Sequence, residues 1–393
     1  MAFIQALNTI IVARVLNKED FGLYSFLFSS VVPIVVQVVV LGQNSSVVRY
    51  FSKYNFQKFQ WKKYFGIMAA VFFALMSILV FIICLFYKLN FYYFFCLLLS
   101  IFSSAILILI SSFLRSRKDF ILAIFFERIS VPIFLFFIAI SFLFNLKDIN
   151  PFVALKTISY FLPFLIMLFL FFKNEKVGTR KIERSIYSDG LLLWGLGLAV
   201  LVITRIDVLF IAKLIDFNAV AVYSIMLMFT QIYDFAYGAV GSVYTQRFSS
   251  QYVPHPINFL LKVFGIATVI SSFYLLAGRP LLHFLFNGKF DDGMFLLIPF
   301  CILGCLKLTY IYPSCYFVGK SKSNSLKLFM NFEVLGIGLK AILLILGLRY
   351  FGLLGAATSG ILIWIYKNIT GYYLMLREES KRRAEDAAVQ FAR

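Results

Sequence analysis

Long apolar runs, separated by short polar clusters, dominate this chain and leave few folds open to it. Hydrophobic residues make up 62% of its 393 residues and charged residues only 14%, which a water-soluble globule could not accommodate. Most runs reach the ~20 residues that a helix needs to cross a bilayer, and they are too long for barrel strands. The sequence therefore predicts an all-α integral membrane protein.

Cutting the chain at its polar clusters predicts about twelve transmembrane helices. They cover residues 1–16, 21–43, 64–87, 91–114, 120–144, 151–172, 190–212, 218–243, 258–278, 293–318, 326–348 and 352–376. The first segment is short because Arg14 follows only thirteen residues. We expect a partial helix there rather than a cleaved leader.

Basic residues collect in alternate connections. Counted from an N-terminus inside the cell, the even-numbered connections carry sixteen Lys and Arg residues and the odd-numbered ones seven. Short cytoplasmic loops are rich in Lys and Arg, so both chain ends are predicted to be cytoplasmic. Basic loops at an anionic leaflet also account for the net charge of +19, and no nucleic-acid partner is expected.

The sequence contains a diffuse internal repeat. The stretch RVLNKEDFGLYSF (14–26) resembles KLIDFNAVAVYSI (213–225), so that Tyr24 aligns with Tyr223 at an offset of 199 residues. Chance similarity is the alternative, since membrane helices use few residue types. Six predicted helices separate the copies, and an even number gives both the same orientation, which predicts parallel repeats related by an axis along the membrane normal.

The repeat and a polar linker predict the domains. The longest clearly polar internal stretch, KNEKVGTRKIERSIYSD, lies where the two halves should join. We predict two six-helix halves related by a pseudo-two-fold axis, a cytoplasmic linker between them and a charged cytoplasmic tail. Their bounds are 1–172 for the first half, 173–189 for the linker, 190–376 for the second half and 377–393 for the tail.

Four stretches carry a resemblance to a known family: ARVLNKEDFGLYSF, RIDVLFIAKLIDFNAVAVYS, FVGKSKSNS and YFGLLGAATSGILIWIY. They resemble the polysaccharide-export flippases of the multidrug/oligosaccharidyl-lipid/polysaccharide (MOP) superfamily, most closely the O-antigen repeat-unit flippases. The resemblance implies a V-shaped fold like that of the MATE exporters and a monomeric transport unit. It implies transport of a polyprenyl-pyrophosphate-linked oligosaccharide across the bacterial inner membrane, with membrane lipids and the polysaccharide polymerase and chain-length machinery as partners.

The chain lacks the features of an ATP-driven pump or an enzyme. It has no Walker glycine loop and no loop long enough for a soluble catalytic domain. We expect no catalytic residues, no metal site and no cofactor, and we expect a proton or Na⁺ gradient, or the imbalance of the cargo itself, to drive transport.

Charged residues inside the predicted helices are the candidate site, because each costs ~2.5–3.5 kcal/mol at the bilayer centre. Lys307 and Lys340 lie deep in their helices, and with Arg205 they are the predicted ligands of the pyrophosphate. We expect at least one of the two amines to point into an aqueous cleft. Alanine at either lysine is predicted to abolish export, and arginine to restore it in part.

Carboxylates inside the predicted helices are the predicted coupling or gating groups. They are Asp207, Asp234 and Glu333, which shares a helical face with Lys340. Secondary candidates are Glu127, Arg128 and Trp194. For the charged residues the alternative is an interhelical salt bridge that only fixes the fold, and for the tryptophan it is a lipid-facing ring.

Three other functions stay open from the sequence. A multidrug exporter of the same superfamily would share the two halves, but a cationic cleft argues against organic cations as cargo. A peptidoglycan-precursor flippase would carry a similar anion, but that family commonly has two further helices. A membrane-embedded polysaccharide polymerase or ligase usually has a large outer loop, and here the longest predicted one, 279–292, has fourteen residues.

Overall fold

The computed structural model describes residues 2–51, 59–174, 178–179, 185–249, 256–319 and 323–391. Nearly all of these residues are helical, which confirms the predicted all-α class. Residues 175–177 and 180–184 of the predicted linker, and the basic connections at 52–58 and 320–322, lie outside the described residues. The fold separates into two compact units, Met1–Arg205 and Ile206–Arg393, whereas the predicted bounds of the halves and their symmetry axis stay predictions.

Within the described residues, the N-terminal unit contains nine helices and the start of a tenth. They are α1 (Ala2–Val15), α2 (Lys18–Ser25), α3 (Val32–Val40), α4 (Gln43–Phe51), α5 (Trp61–Tyr87), α6 (Phe91–Ser116), α7 (Phe120–Arg128), α8 (Ser130–Leu143), α9 (Ile149–Asn174) and α10 (Ser185–Leu214). A π-helical turn, Phe26–Val31, joins α2 to α3. Helix α6 is central, because it contacts α3, α4, α5, α7 and α9.

The C-terminal unit contains the end of α10 and five further helices. They are α11 (Phe217–Ser249), α12 (Pro256–Phe286), α13 (Leu297–Thr309), α14 (Ile311–Gly319) and α15 (Ser323–Phe391). A 3₁₀ turn, Asp291–Leu296, precedes α13. Helix α13 contacts α11, α12 and α15 and so forms the middle of this unit.

The repeated sequence motif begins a helix in each unit. The Asn17 side chain accepts a hydrogen bond of 2.7 Å from the backbone N–H of Asp20 and caps α2. In the second copy, Asp216 accepts one of 2.7 Å from the N–H of Ala219 at the start of α11. Both are N-caps of the usual kind, and they lie 199 residues apart, so the repeat in the sequence is also a repeat in local structure.

Helix α15 reverses direction at Gly352. Its backbone there is non-helical, with φ 56° and ψ −136°, a region open essentially to glycine alone. A Cβ on Gly347 would lie 2.5 Å from the carbonyl oxygen of Gly355, so the two arms meet backbone to backbone. The two helices predicted at 326–348 and 352–376 are therefore the two arms of one hairpin.

Nine helical segments within the described residues are long and apolar enough to cross a membrane. They are Lys18–Val40, Trp61–Tyr87, Phe91–Ser116, Phe120–Leu143, Ile149–Lys173, Phe217–Gly241, Pro256–Phe286, Asp291–Phe317 and Lys327–Lys381, the last of which contains both arms of the hairpin. Helix α1 has only 14 residues, in agreement with the short first helix that the sequence predicts. The protein is thus a multi-pass membrane protein, and the number twelve stays a prediction.

Candidate functional site

Three lysines inside the helices of the C-terminal unit each form an ion pair with a carboxylate. We call these residues the ion-pair cluster: Asp207 with Lys340, Glu333 with Lys367, and Asp234 with Lys307. The cluster contains three positive and three negative groups and is neutral as a whole. Within the described residues, no group of His, Cys, Asp and Glu side chains could hold a metal ion.

The first pair joins α10 to the first arm of α15. Lys340 Nζ lies 2.8 Å from Asp207 Oδ1, and the two side chains are 2% and 6% exposed. The Tyr223 hydroxyl, on α11, donates a hydrogen bond of 2.7 Å to the other carboxylate oxygen of Asp207. A Cβ on Gly360 would lie 3.5 Å from Lys340 Nζ, so the second arm of α15 lies against the amine. Helix α11 and the second arm of α15 therefore both pack against this pair.

The second pair joins the two arms of α15. Lys367 Nζ lies 2.9 Å from Glu333 Oε2, and both residues are buried. The Tyr310 hydroxyl donates a hydrogen bond to the other oxygen of Glu333. Lys367 Nζ also lies 4.7 Å from the ring centroid of Tyr310 and 4.5 Å from that of Trp364. A carboxylate and two aromatic faces thus hold this ammonium group.

The third pair differs from the others in its exposure. Lys307 Nζ lies 2.8 Å from Asp234 Oδ1, and the lysine side chain is 8% exposed while the aspartate is 53% exposed. Lys307 lies on α13 and Asp234 on α11. The lysine is thus buried in the protein while about half of the aspartate side chain lies at its surface.

A hydrogen-bond network ties α13 to the second arm of α15. The Asn368 amide donates to the carbonyl oxygen of Leu306 at 2.9 Å, and the Thr309 hydroxyl donates to Asn368 Oδ1 at 3.0 Å. These contacts lie next in sequence to Lys307 and Lys367, whose ammonium groups interact electrostatically. The second and third pairs are therefore neighbours.

The ion-pair cluster contains most of the charged residues that the sequence predicted as site residues. Two of them, Glu333 and Lys340, have partners other than the ones their spacing suggested. Glu333 and Lys340 share a helical face in the sequence, yet each pairs with a residue of another segment. Lys367 was missed, although it lies deep in an apolar run, as Lys307 and Lys340 do, and could have been found by the same criterion. Tyr223 and Tyr310 were also missed as carboxylate partners, because nothing in the sequence indicates which tyrosines face a carboxylate.

The remaining candidates lie in the N-terminal unit. Glu127 accepts a hydrogen bond of 2.5 Å from Arg115 of α6, and the neighbouring Arg128 is exposed. The Trp194 indole donates to the carbonyl oxygen of Gln37 at 3.1 Å. Arg205 is partly exposed on α10, two residues before Asp207. None of these four belongs to the ion-pair cluster.

Solved structures of similar fold are transporters. A multidrug resistance MATE family transporter of the MOP superfamily, inward-facing, matches with a TM-score of 0.70 at 13% identity, covering 96% of each chain. The lipid II flippase MurJ matches with 0.66 at 14% identity, covering 94% of this chain and 85% of the other. The Vibrio cholerae MATE transporter VcmN matches with 0.57 at 15% identity, covering 98% and 93%. At these identities the likeness shows the fold, which is MATE-like.

Sequence comparison gives the family. No curated protein matches the chain. A family model described as polysaccharide biosynthesis protein matches residues 1–245, which is more than half of the chain and contains both copies of the repeated motif. With this match, the chain belongs to the polysaccharide biosynthesis protein family.

Proposed function

We propose that the protein is a flippase that moves a polyprenyl-pyrophosphate-linked oligosaccharide, such as an O-antigen repeat unit, from the cytoplasmic to the outer leaflet of the bacterial inner membrane. One observation carries the proposal: a member of a polysaccharide biosynthesis family has the fold of MOP transporters. The similarity to a lipid II flippase supports a lipid-linked cargo. Both chain ends face the cytoplasm in this proposal, and the polysaccharide polymerase and chain-length machinery receive the cargo.

The ion-pair cluster supports a role in coupling. Asp234 is the exposed carboxylate of the three pairs, so a proton or a sodium ion can reach it without opening the protein core. Neutralising Asp234 would leave Lys307 free to bind the pyrophosphate of the cargo. Asp207 and Glu333 are buried, so their pairs can exchange partners only when the surrounding helices move. Lys340 and Arg205 are the further proposed ligands of the pyrophosphate once the helices have moved and the Asp207–Lys340 pair is broken.

A translocation assay tests this function. The purified protein is reconstituted into liposomes that contain a fluorescent polyprenyl-pyrophosphate-linked oligosaccharide, and a membrane-impermeant quencher reports how much label changes leaflet. We expect the wild type to move label across the bilayer, and the Lys307→Ala variant to be inactive although it is recovered and reconstituted normally. Equal rates in wild-type and protein-free liposomes would overturn the proposal.

Multidrug export is the second candidate, and one observation favours it. The three lysines are neutralised by carboxylates, so a cationic interior no longer argues against organic cations as cargo. A MATE transporter also matches with the TM-score of 0.70. Reduced accumulation of a cationic dye in cells that express the protein, together with an inactive translocation assay, would favour this alternative.

A further inference from the structure

Lys156 is a lysine inside a helix of the N-terminal unit that lacks a counter-ion among the described residues. It is the eighth residue of α9, ~10 Å along the helix at 1.5 Å per residue. Its ammonium group contacts two aromatic rings, at 4.4 Å from the centroid of Phe134 and 5.1 Å from that of Tyr160. In the part of the chain that the structure describes, no carboxylate pairs with it.

The rings belong to an aromatic cluster from three segments of this unit. Tyr24 stacks on Phe134 at 6.2 Å between centroids, and Phe28 stacks on Tyr160 at 6.5 Å. Tyr24 and Phe28 are in turn 5.2 Å apart. The aromatic faces hold a cation in place, but they bring no negative charge to balance it.

Two hydroxyl groups beside Lys156 also lack partners within the described residues. Neither Tyr24 nor Tyr160 forms a side-chain hydrogen bond there. Tyr24 is 7% exposed, whereas Tyr160 and Lys156 are partly exposed. The ammonium group and both tyrosines thus belong to one aromatic cluster, and ammonium and hydroxyl donors suit the oxygens of a phosphate.

The internal repeat places an uncharged residue in the N-terminal unit where the C-terminal unit has a buried carboxylate. At the offset of 199 residues that aligns Tyr24 with Tyr223, Asn8 aligns with Asp207. In the C-terminal unit, Asp207 neutralises Lys340. In the N-terminal unit the corresponding residue is an uncharged amide, and Asn8 donates to the carbonyl oxygen of Val131 at 2.9 Å. At the same offset Lys340 aligns with Ser141 and Lys156 with Gly355, so the Asp207–Lys340 pair has no counterpart in the N-terminal unit and Lys156 has none in the C-terminal unit.

We propose that Lys156, Tyr24 and Tyr160 form an anion-binding subsite of the N-terminal unit, and that its ligand is the pyrophosphate of the cargo. The inference rests on the proposed function for the identity of the cargo. Lysines of the ion-pair cluster must leave a carboxylate before they can bind an anion, whereas Lys156 is available in the structure as it stands. The subsite can therefore bind the pyrophosphate without first breaking an ion pair.

Binding of farnesyl pyrophosphate to the full-length protein in lipid nanodiscs tests the subsite. We expect Lys156→Gln to weaken binding about tenfold or more, since a hydrogen bond to a charged group contributes about that much. Lys156→Arg, which keeps the charge, should retain most of the affinity. Lys262→Gln is the matched control, because Lys262 is exposed on α12, and its affinity should stay within about twofold of the wild type.

Thermal unfolding separates binding from folding. Removing a lysine that has no carboxylate partner leaves no charge behind, so Lys156→Gln should unfold at the wild-type temperature or above it. Tyr160→Phe removes only a hydroxyl group and should weaken binding severalfold in a protein that folds normally. Wild-type affinity in both variants would overturn the proposal.

Competitors identify the source of the anion. We expect farnesyl pyrophosphate to be displaced by inorganic pyrophosphate but not by farnesol or phosphatidylglycerol. Equal displacement by phosphatidylglycerol would assign the subsite to membrane lipid and overturn the cargo assignment. If the wild type translocates cargo and Lys156→Gln binds normally, only the subsite is wrong. If the wild type translocates nothing, the proposed function fails whatever the binding result.

Discussion

At the scale of single residues, the charges of Asp207 and Lys340 depend on each other. Both side chains are almost completely buried, and removing one partner leaves a buried charge that costs about 3–5 kcal/mol, whereas removing both charges together is often nearly neutral. We therefore expect Lys340→Met to lower the unfolding temperature strongly, and Lys340→Met combined with Asp207→Asn to restore much of it. Thermal unfolding in detergent micelles measures the effect.

The two substitutions should have non-additive effects on the unfolding temperature. If the double variant is as unstable as the sum of the single variants, the two side chains do not stabilise each other and the ion pair is not what holds α10 to α15. The corresponding comparison for Lys307 should show a smaller effect, because Asp234 is 53% exposed and water solvates it when its partner is removed.

The sequence predicted which residues carry the charge but not how they pair. Depth within an apolar run identified Lys307 and Lys340, and the same criterion would have found Lys367. Spacing along one helix suggested that Glu333 and Lys340 belong together, but the reversal at Gly352 brings Lys367 closer to that glutamate. Pairing depends on which helices are neighbours, and a single sequence does not contain that information.

At the scale of elements, the close approach of the two arms of α15 depends on Gly347. A Cβ there would lie 2.5 Å from the carbonyl oxygen of Gly355, and backbone cannot move aside as a side chain can. Overpacking of this kind costs about 1–3 kcal/mol. We expect Gly347→Ala to lower the unfolding temperature by several degrees.

Gly338 provides the matched control on the same arm. A Cβ on Gly338 meets nothing within 4 Å, so Gly338→Ala should leave the unfolding temperature unchanged or raise it slightly, as alanine favours helix over glycine. Equal effects of the two substitutions would mean that the arms are not packed as closely as described.

Helix positions followed closely from the apolar runs, whereas their interruptions did not. The predicted segment 120–144 is divided into α7 and α8 at Ile129, and the predicted segment 21–43 contains the π-helical turn at Phe26–Val31. Each interruption lies just before a proline, Pro132 and Pro33, whose missing N–H and ring disturb the preceding helical turn. Hydrophobicity along the chain, which set the predicted bounds, does not report this.

At the scale of the whole molecule, the count of basic residues predicts the orientation in the membrane. In a variant whose five cysteines are replaced by serine, single cysteines at Lys58 and Arg180 should react only with reagents that enter the cell. A cysteine at Asp292, in the 3₁₀ turn before α13, should react with an impermeant reagent added outside. Labelling of position 58 from outside would reverse the orientation.

The two units share a helix N-cap but differ in one of their buried polar residues. The caps Asn17 and Asp216 support the predicted repeat, and its rotation axis stays a prediction. The replacement of Asp207 by Asn8 at the same offset was visible in the sequence. The sequence did not show what this difference means, because the pairing of Asp207 with Lys340 is seen only in the folded chain.

The hairpin of α15 also bears on how the protein enters the membrane during synthesis. Glu333 and Lys367 lie on opposite arms of that one hairpin, so the two charges can neutralise each other as soon as both arms have left the ribosome. Each would otherwise cost ~2.5–3.5 kcal/mol on transfer into the bilayer. Lys340 has no such partner within the hairpin and pairs with Asp207, which was synthesised much earlier. The two arms of the hairpin can therefore insert into the membrane together. Lys340 then pairs with Asp207 on a helix that was inserted earlier.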